Sequence, residues 1–262
     1  MRFICVFFLV LGLSVTSTAN AQQFAYVTNF LDRSVSVIDT TTNTEVDMVT
    51  VGNGPEGVAA DPTCSRVYVA LAGDNTLVEI DTATNTVVSS VYVGIDSLSP
   101  SGVAVSPNGT RVYVSHFASD TVSVIDTATN AVVATVDVEG NPFGLAVSPD
   151  GSRVYVANST SNSVAVIDTA TNTVVATASV GAPGGVAVSP DGSRIYVPNL
   201  TADNVAVINT ATNTQVTTLA VGENPVSVAI SPDGSRLAVG GMLSGTVAGA
   251  STIRLYDLAS GD

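Results

Sequence analysis

The chain has 262 residues, 45% of them hydrophobic, and sets 22 acidic side chains against eight basic ones, all of them Arg. A formal charge of −14 excludes nucleic acid and anionic lipid as partners, because such a field repels polyanions. Trp is absent and aromatics make up only 5%, so a core has to be built from small and β-branched side chains packed face to face.

In chain order, residues 1–21 read as a secretory signal peptide. Arg2 gives a positive start, Phe3 to Leu13 is an apolar run too short to span a bilayer, and Ala19-Asn20-Ala21 is a small-x-small cleavage site. The mature chain is expected to begin at Gln22 and to be exported to the periplasm, the cell surface or the medium. No later apolar stretch could act as a stop-transfer segment, so no membrane insertion of the mature chain is expected. Cys5 leaves with the signal and Cys64 stays alone, which leaves no internal disulfide.

Residues 22–262 are a tandem array with a unit of about 42 residues. The phrase Ile-Asp-Thr-x-Thr-Asn starts at Ile38, Ile80, Ile125 and Ile167, returns from Ile208 with Asn209 in place of Asp, and appears loosely as Leu255-Tyr256-Asp257. A unit that cannot bury its own apolar face must lean on its neighbours. Each unit divides into four alternating runs. Around residue 190 these are strand A (Gly185 to Ser189), a Pro190-Asp191-Gly192 turn, strand B (Arg194 to Val197), a loop, strand C (Asn204 to Ile208), a Thr-Ala-Thr-Asn turn and strand D (Gln215 to Val221). No segment has helical apolar spacing. Four-strand units in series predict an all-β fold, a β-propeller of four-stranded antiparallel blades with about six blades present. The array begins with a B strand (Phe24 to Thr28) and closes with a C strand (Thr252 to Asp257), giving five A, six B, six C and five D strands. Either the ring stays open with exposed edges or the chain is cut short at Asp262; the expectation is truncation of a longer protein, which leaves room for a seventh blade.

Spacing also predicts side-chain pairs. Arg66, Arg111, Arg153 and Arg194 open B strands, and fifteen residues later Asp81, Asp126, Asp168 and Asn209 close C strands. In an antiparallel B–C pair these positions lie side by side, so three structural Arg–Asp pairs are expected: Arg66–Asp81, Arg111–Asp126 and Arg153–Asp168.

A–B and C–D turns share one face and are nearly identical from unit to unit, as scaffold turns should be. B–C and D–A loops share the other face and vary, so specific binding is expected there. Its candidates are Glu56, Asp74, Asp96, His116, Asp120, Asp203 and Glu223. His116 is the only histidine and stands where other units end strand B with Asn, so a His-rich zinc site is excluded. A metal held by these acids would be calcium, since only hard oxygen ligands are offered; otherwise no cofactor is expected. Cys64 falls at the Gly position of its A–B turn. No nucleophile elbow, phosphate loop or paired-Cys metal motif is present.

Tyr26-Val27-Thr28-Asn29, Val154-Tyr155-Val156-Ala157-Asn158, Ser163-Val164-Ala165-Val166-Ile167-Asp168-Thr169 and Ser189-Pro190-Asp191-Gly192 resemble the YVTN-type β-propeller repeat. The resemblance covers nearly all of residues 24–257. It implies kinship with cell-surface and surface-layer proteins, and with propellers related to lactonases and lyases. Lactonase-like members use His, Glu and Arg, or metal-holding acids, and no motif here matches theirs, so no catalytic residue carries over. Two functions are expected. The first is an exported, non-catalytic scaffold whose variable loops bind a protein or a cell-wall glycan. The alternative is a metal-assisted hydrolase or lyase of small molecules, such as a lactonase-like propeller.

Overall fold

In the computed structural model, residues 23–94, 99–242 and 251–258 are described. Residues 1–22, which include the expected signal segment, Asp96 with the insertion around it, and most of the Gly240 to Ser251 loop lie outside them. The described chain is all-β, a β-propeller fold of antiparallel blades with 22 strands in six sheets.

The first sheet holds β1 (Phe24–Asn29), β2 (Ser34–Asp39) and β3 (Thr44–Thr50). The second holds β4 (Pro55–Ala60), β5 (Arg66–Leu71), β6 (Thr76–Asp81) and β7 (Thr86–Tyr92). The third is β8 (Pro100–Val105), β9 (Arg111–His116), β10 (Thr121–Asp126) and β11 (Ala131–Asp137). The fourth is β12 (Pro142–Val147), β13 (Arg153–Asn158), β14 (Ser163–Asp168) and β15 (Thr173–Ser179). The fifth runs β16 (Ala187–Val188), β17 (Arg194–Asn199), β18 (Asn204–Asn209), β19 (Thr214–Ala220). The sixth has β20 (Pro225–Ile230), β21 (Arg236–Met242) and β22 (Ser251–Asp257). Strands follow one another in chain order within every sheet, as short turns between antiparallel neighbours require.

The chain forms two compact units. One holds the first two sheets and part of the third; the other holds Ser115–Val122 and everything from Ala134 onward. In the first unit, Tyr26, Val35 and Val37 of one sheet pack against Val58, Val67, Val69 and Ile80 of the next. A second cluster joins Tyr68, Ala70 and Leu77 to Val112, Val114 and Ile125. In the other unit, Tyr155, Val164 and Val166 meet Val186, Ile195 and Val197, and Tyr196, Val205 and Val207 meet Val228, Leu237 and Val239. Middle strands are therefore buried on both faces and read as continuous apolar runs, as in β14, while the outermost strands are mostly exposed.

The innermost strands approach closely. A Cβ on Gly57 would strike the Ser101 carbonyl oxygen, and one on Gly144 would lie 2.7 Å from Gly185 Cα. Glycine is the residue that lets these backbones meet. The same property shortens β16: strand from Gly185 is expected, but ladder pairing is confined to Ala187–Val188 plus a bridge from Pro183 to Asn199. Gly184 and Gly185 supply no side chain to hold a regular strand there.

Turn chemistry repeats. In Ser148-Pro149-Asp150-Gly151 the Gly151 N–H donates to Ser148 O at 2.8 Å with Gly151 at φ +73°. Ser148 and Ser152 side chains and the Ser152 N–H donate to Asp150 and hold its carboxyl down at about 2. Cys64 takes the glycine's place in its own turn at φ +56°. At the C–D turn, Asp168 Oδ1 accepts the N–H groups of Ala170 and Thr171, both at 3.0 Å. Its other oxygen accepts from Arg153 Nη1 at 2.5 Å, in a register that sets Arg153 opposite Asp168. Arg66 pairs Asp81 at 2.5 Å and also Glu79 at 2.8 Å, and Arg111 pairs Asp126. Arg194 stands opposite Asn209, which carries no charge.

Four outermost strands carry a β-bulge. Register shifts leave Val46, Val88, Val175 and Val216 as the extra residues, and all four are exposed.

Candidate functional site

The loops between B and C strands are built on one backbone device. Arg33, Asn75, Asp120, Asn162 and Asp203 all have φ between +51° and +57°. Asn and Asp tolerate this left-handed turn best among residues with a Cβ. Each carbonyl then accepts the N–H of the residue leaving the outermost strand of its blade: Val51, Val93, Val138, Val180 or Val221. Asp120 and Asp203 are thus turn residues by conformation.

Their carboxylates are engaged as well. Asp120 Oδ1 accepts the Asn141 N–H at 2.6 Å, and Asp203 Oδ1 accepts the Asn224 N–H at 2.8 Å. Asp74 does the same work on the loop that leads into its blade. It accepts Asn53 N–H at 2.7 Å and Asn53 Nδ2 at 2.6 Å, and the Asn53 side chain, then its backbone, hold the Asp74 carboxyl below its usual range. Three of the sequence candidates therefore tie one loop to another.

Glu56 is different. It lies half-buried on β4, its carbonyl accepts Thr28 Oγ1 at 2.8 Å, and burial pushes its carboxyl up to about 7. His116 is fully buried at the end of β9, and burial pushes its imidazole down to about 4, so it is neutral at physiological pH. Glu223 is exposed in the loop after β19, and Asp96 lies outside the described residues. Glu56 and Asp74 belong to one unit; His116, Asp120, Asp203 and Glu223 belong to the other. Among the described residues no three of His, Cys, Asp and Glu assemble as a metal-ligand set, and both Asp74 oxygens already accept N–H groups.

An aromatic pair emerges only from the structure. Phe117, next to His116 and 40% exposed, meets Phe143 edge-on with centroids 6.3 Å apart and planes at 81°. Asn141 Nδ2 donates to the Phe117 carbonyl at 2.7 Å, and Thr160 Oγ1 donates to Asn141 Oδ1 at 2.8 Å. Asn141 thereby joins three loops beneath an exposed ring. The sequence signal was faint: Phe143 occupies the position of Glu56 in another unit.

The solved structures that resemble this one include the following two. Hydrazine synthase of Kuenenia stuttgartiensis matches with a TM-score of 0.73 and 26% identity, covering 82% of this chain and 70% of that one. A functionally unknown protein of Desulfotomaculum acetoxidans matches with a TM-score of 0.74 at 19% identity, covering 92% and 84%. No curated protein matches the chain. The family model described as lactonase, seven-bladed β-propeller, matches residues 16–177, more than half of the sequence. The chain belongs to this lactonase family of seven-bladed β-propellers.

Proposed function

We propose that the protein is an exported β-propeller of the YVTN type that acts as a binding scaffold, presenting its variable loops to a protein or a cell-wall glycan. One observation carries this reading. The carboxylates of Asp74, Asp120 and Asp203 fix loop to loop through backbone N–H groups, which makes stiff, preorganised loops out of residues that could otherwise do chemistry. The half-exposed Phe117 ring on its Asn141 support is the kind of rigid aromatic surface that sugars and peptides stack on. Retention of purified cell-wall glycan or of a surface protein on immobilised protein should be lost in Phe117→Ser and survive Thr171→Ala in a scaffold turn. The reverse pattern ends this reading.

Family membership and the near-neutral Glu56 favour a second reading, opening of a small lactone. Glu56 as carboxylate would take a proton from water as the oxygen adds to the lactone carbonyl. The ring C–O bond then breaks and the departing alkoxide receives that proton, leaving a hydroxy acid. Hydrolysis across a lactone panel, abolished in Glu56→Gln with folding intact, would establish it; no turnover of any member would discard it.

A further inference from the structure

We propose that Asn108 is the acceptor of an N-linked glycan, carried on the A–B turn that joins β8 to β9. The proposal rests on the exported reading, since polyprenyl-linked glycans are transferred outside the cytoplasm. The sequence holds three Asn-x-Thr triplets, at Asn108, Asn158 and Asn199. The structure separates them. Asn158 is fully buried, and its Nδ2 points to Ser163 Oγ at 3.4 Å. Asn199 is half-buried and lies tight on Gly181, where an added Cβ would come within 2.3 Å of its Nδ2. Asn108 and Thr110 are both exposed.

The sister turns show what is particular about this one. Asp150, Asp191 and Asp233 stand at the same place, and each accepts a Ser side chain from before it and a Ser N–H and side chain from after it. Asn108 Oδ1 accepts the matching three groups: Ser106 Oγ at 2.8 Å, the Thr110 N–H at 3.1 Å and Thr110 Oγ1 at 2.8 Å. Three donors around one atom fix it as the amide oxygen. The Gly109 N–H closes the turn on Ser106 O at 2.8 Å, and the Gly109 carbonyl accepts Thr127 Oγ1 at 2.8 Å, as the sister glycines do from Thr169 and Thr210. Asp would build this turn equally well. What Asn108 adds is Nδ2, which makes no hydrogen bond among the described residues. In the transfer, Nδ2 attacks the anomeric carbon of a glycan carried on a polyprenyl diphosphate. The new C–N bond forms as the C–O bond to the diphosphate breaks. The diphosphate leaves with that electron pair, and Nδ2 gives up one proton to a base of the transferase. The product is a bulky, solubilising group on a surface turn.

A single-subunit oligosaccharyltransferase with a polyprenyl-diphosphate oligosaccharide tests this on the purified, folded protein, read by intact mass and peptide mapping. One glycan per chain is expected, on the peptide that contains Asn108. Asn108→Asp should abolish it with an unchanged thermal melt, because Asp fits this place in the sister turns. Thr201→Ala, which removes the Asn199 triplet, should leave transfer unchanged. A peptide of residues 104–113 sets the enzyme dose. No transfer to the folded protein at a dose that modifies the peptide overturns the proposal, and so does a glycan on Asn158 or Asn199. Protein collected outside the cytoplasm of its own host should carry a glycan on Asn108, and a bare Asn108 there overturns the proposal as well. Protein held in the cytoplasm, with transfer to Asn108 intact in the assay, would instead sink export and leave the acceptor standing.

Discussion

Glu56→Gln should stabilise the protein at alkaline pH and do nothing at acidic pH. The Glu56 carboxyl titrates at about 7 in the folded chain against 4.5 for an exposed glutamate, because its charged form is kept from water. Each pH unit of that gap is worth about 1.4 kcal/mol, so ionised Glu56 costs the folded state about 3 kcal/mol. A raised carboxyl pKa contributes its full stability below pH 4.5, and that contribution is lost as pH rises through 7. Urea unfolding of both proteins from pH 4 to pH 9 reads the effect. The stability difference between Glu56→Gln and wild type should be flat below about pH 4.5, open steeply between 5 and 8, and level off near the value above. Parallel curves across the whole range would refute the burial of Glu56 as the cause, since Gln keeps shape and polarity but cannot ionise.

Four further outcomes are expected. Asp150, Asp191 and Asp233 are each held at about 2 by a Ser side chain first and by a backbone N–H second. Their stabilising contribution is present above pH 3.8 and lost as pH falls toward 2, so thermal melts should decline over that window and decline less in the triple Asp→Asn variant. Cys64→Gly should raise stability in urea by about 0.5–1 kcal/mol, the left-handed penalty of a residue with a Cβ less the extra freedom of glycine when unfolded; a loss would show that the thiol is held by something else. Arg153→Ala should cost under about 1 kcal/mol by the same assay, since the pair is partly solvated. Asp168→Ala should cost more, because two turn N–H groups lose their acceptor along with the guanidinium.

The fold was legible because the repeat writes its own register. Arg153 and Asp168 are fifteen residues apart, a separation that fixes a hairpin in which they stand opposite, and Cys64 could be placed in a glycine's turn position by alignment with Gly109, Gly151 and Gly192. The length of β16 was not legible, since pairing over Gly185 depends on neighbours that a single unit does not contain. The loop acids show both sides. Asp120–Asn141 and Asp203–Asn224 share a separation of 21 residues, a signal that was present in the sequence. What those carboxylates do depends on where the next loop returns, which only assembled blades determine. Burial of Glu56 is a property of β4 among its neighbours, and no residue pattern within one unit encodes it.

The extra valine in the outermost strands bears on how these molecules live beside one another. Val46, Val88, Val175 and Val216 each sit where the strand kinks out of line, so a neighbouring molecule sliding along that rim finds no straight run to zip onto. Together with the net negative charge, these kinks disfavour edge-to-edge pairing between copies of a valine-rich chain at the four bulged strands. Deleting Val175 alone would straighten one rim segment and convert a tolerant surface into a sticky one.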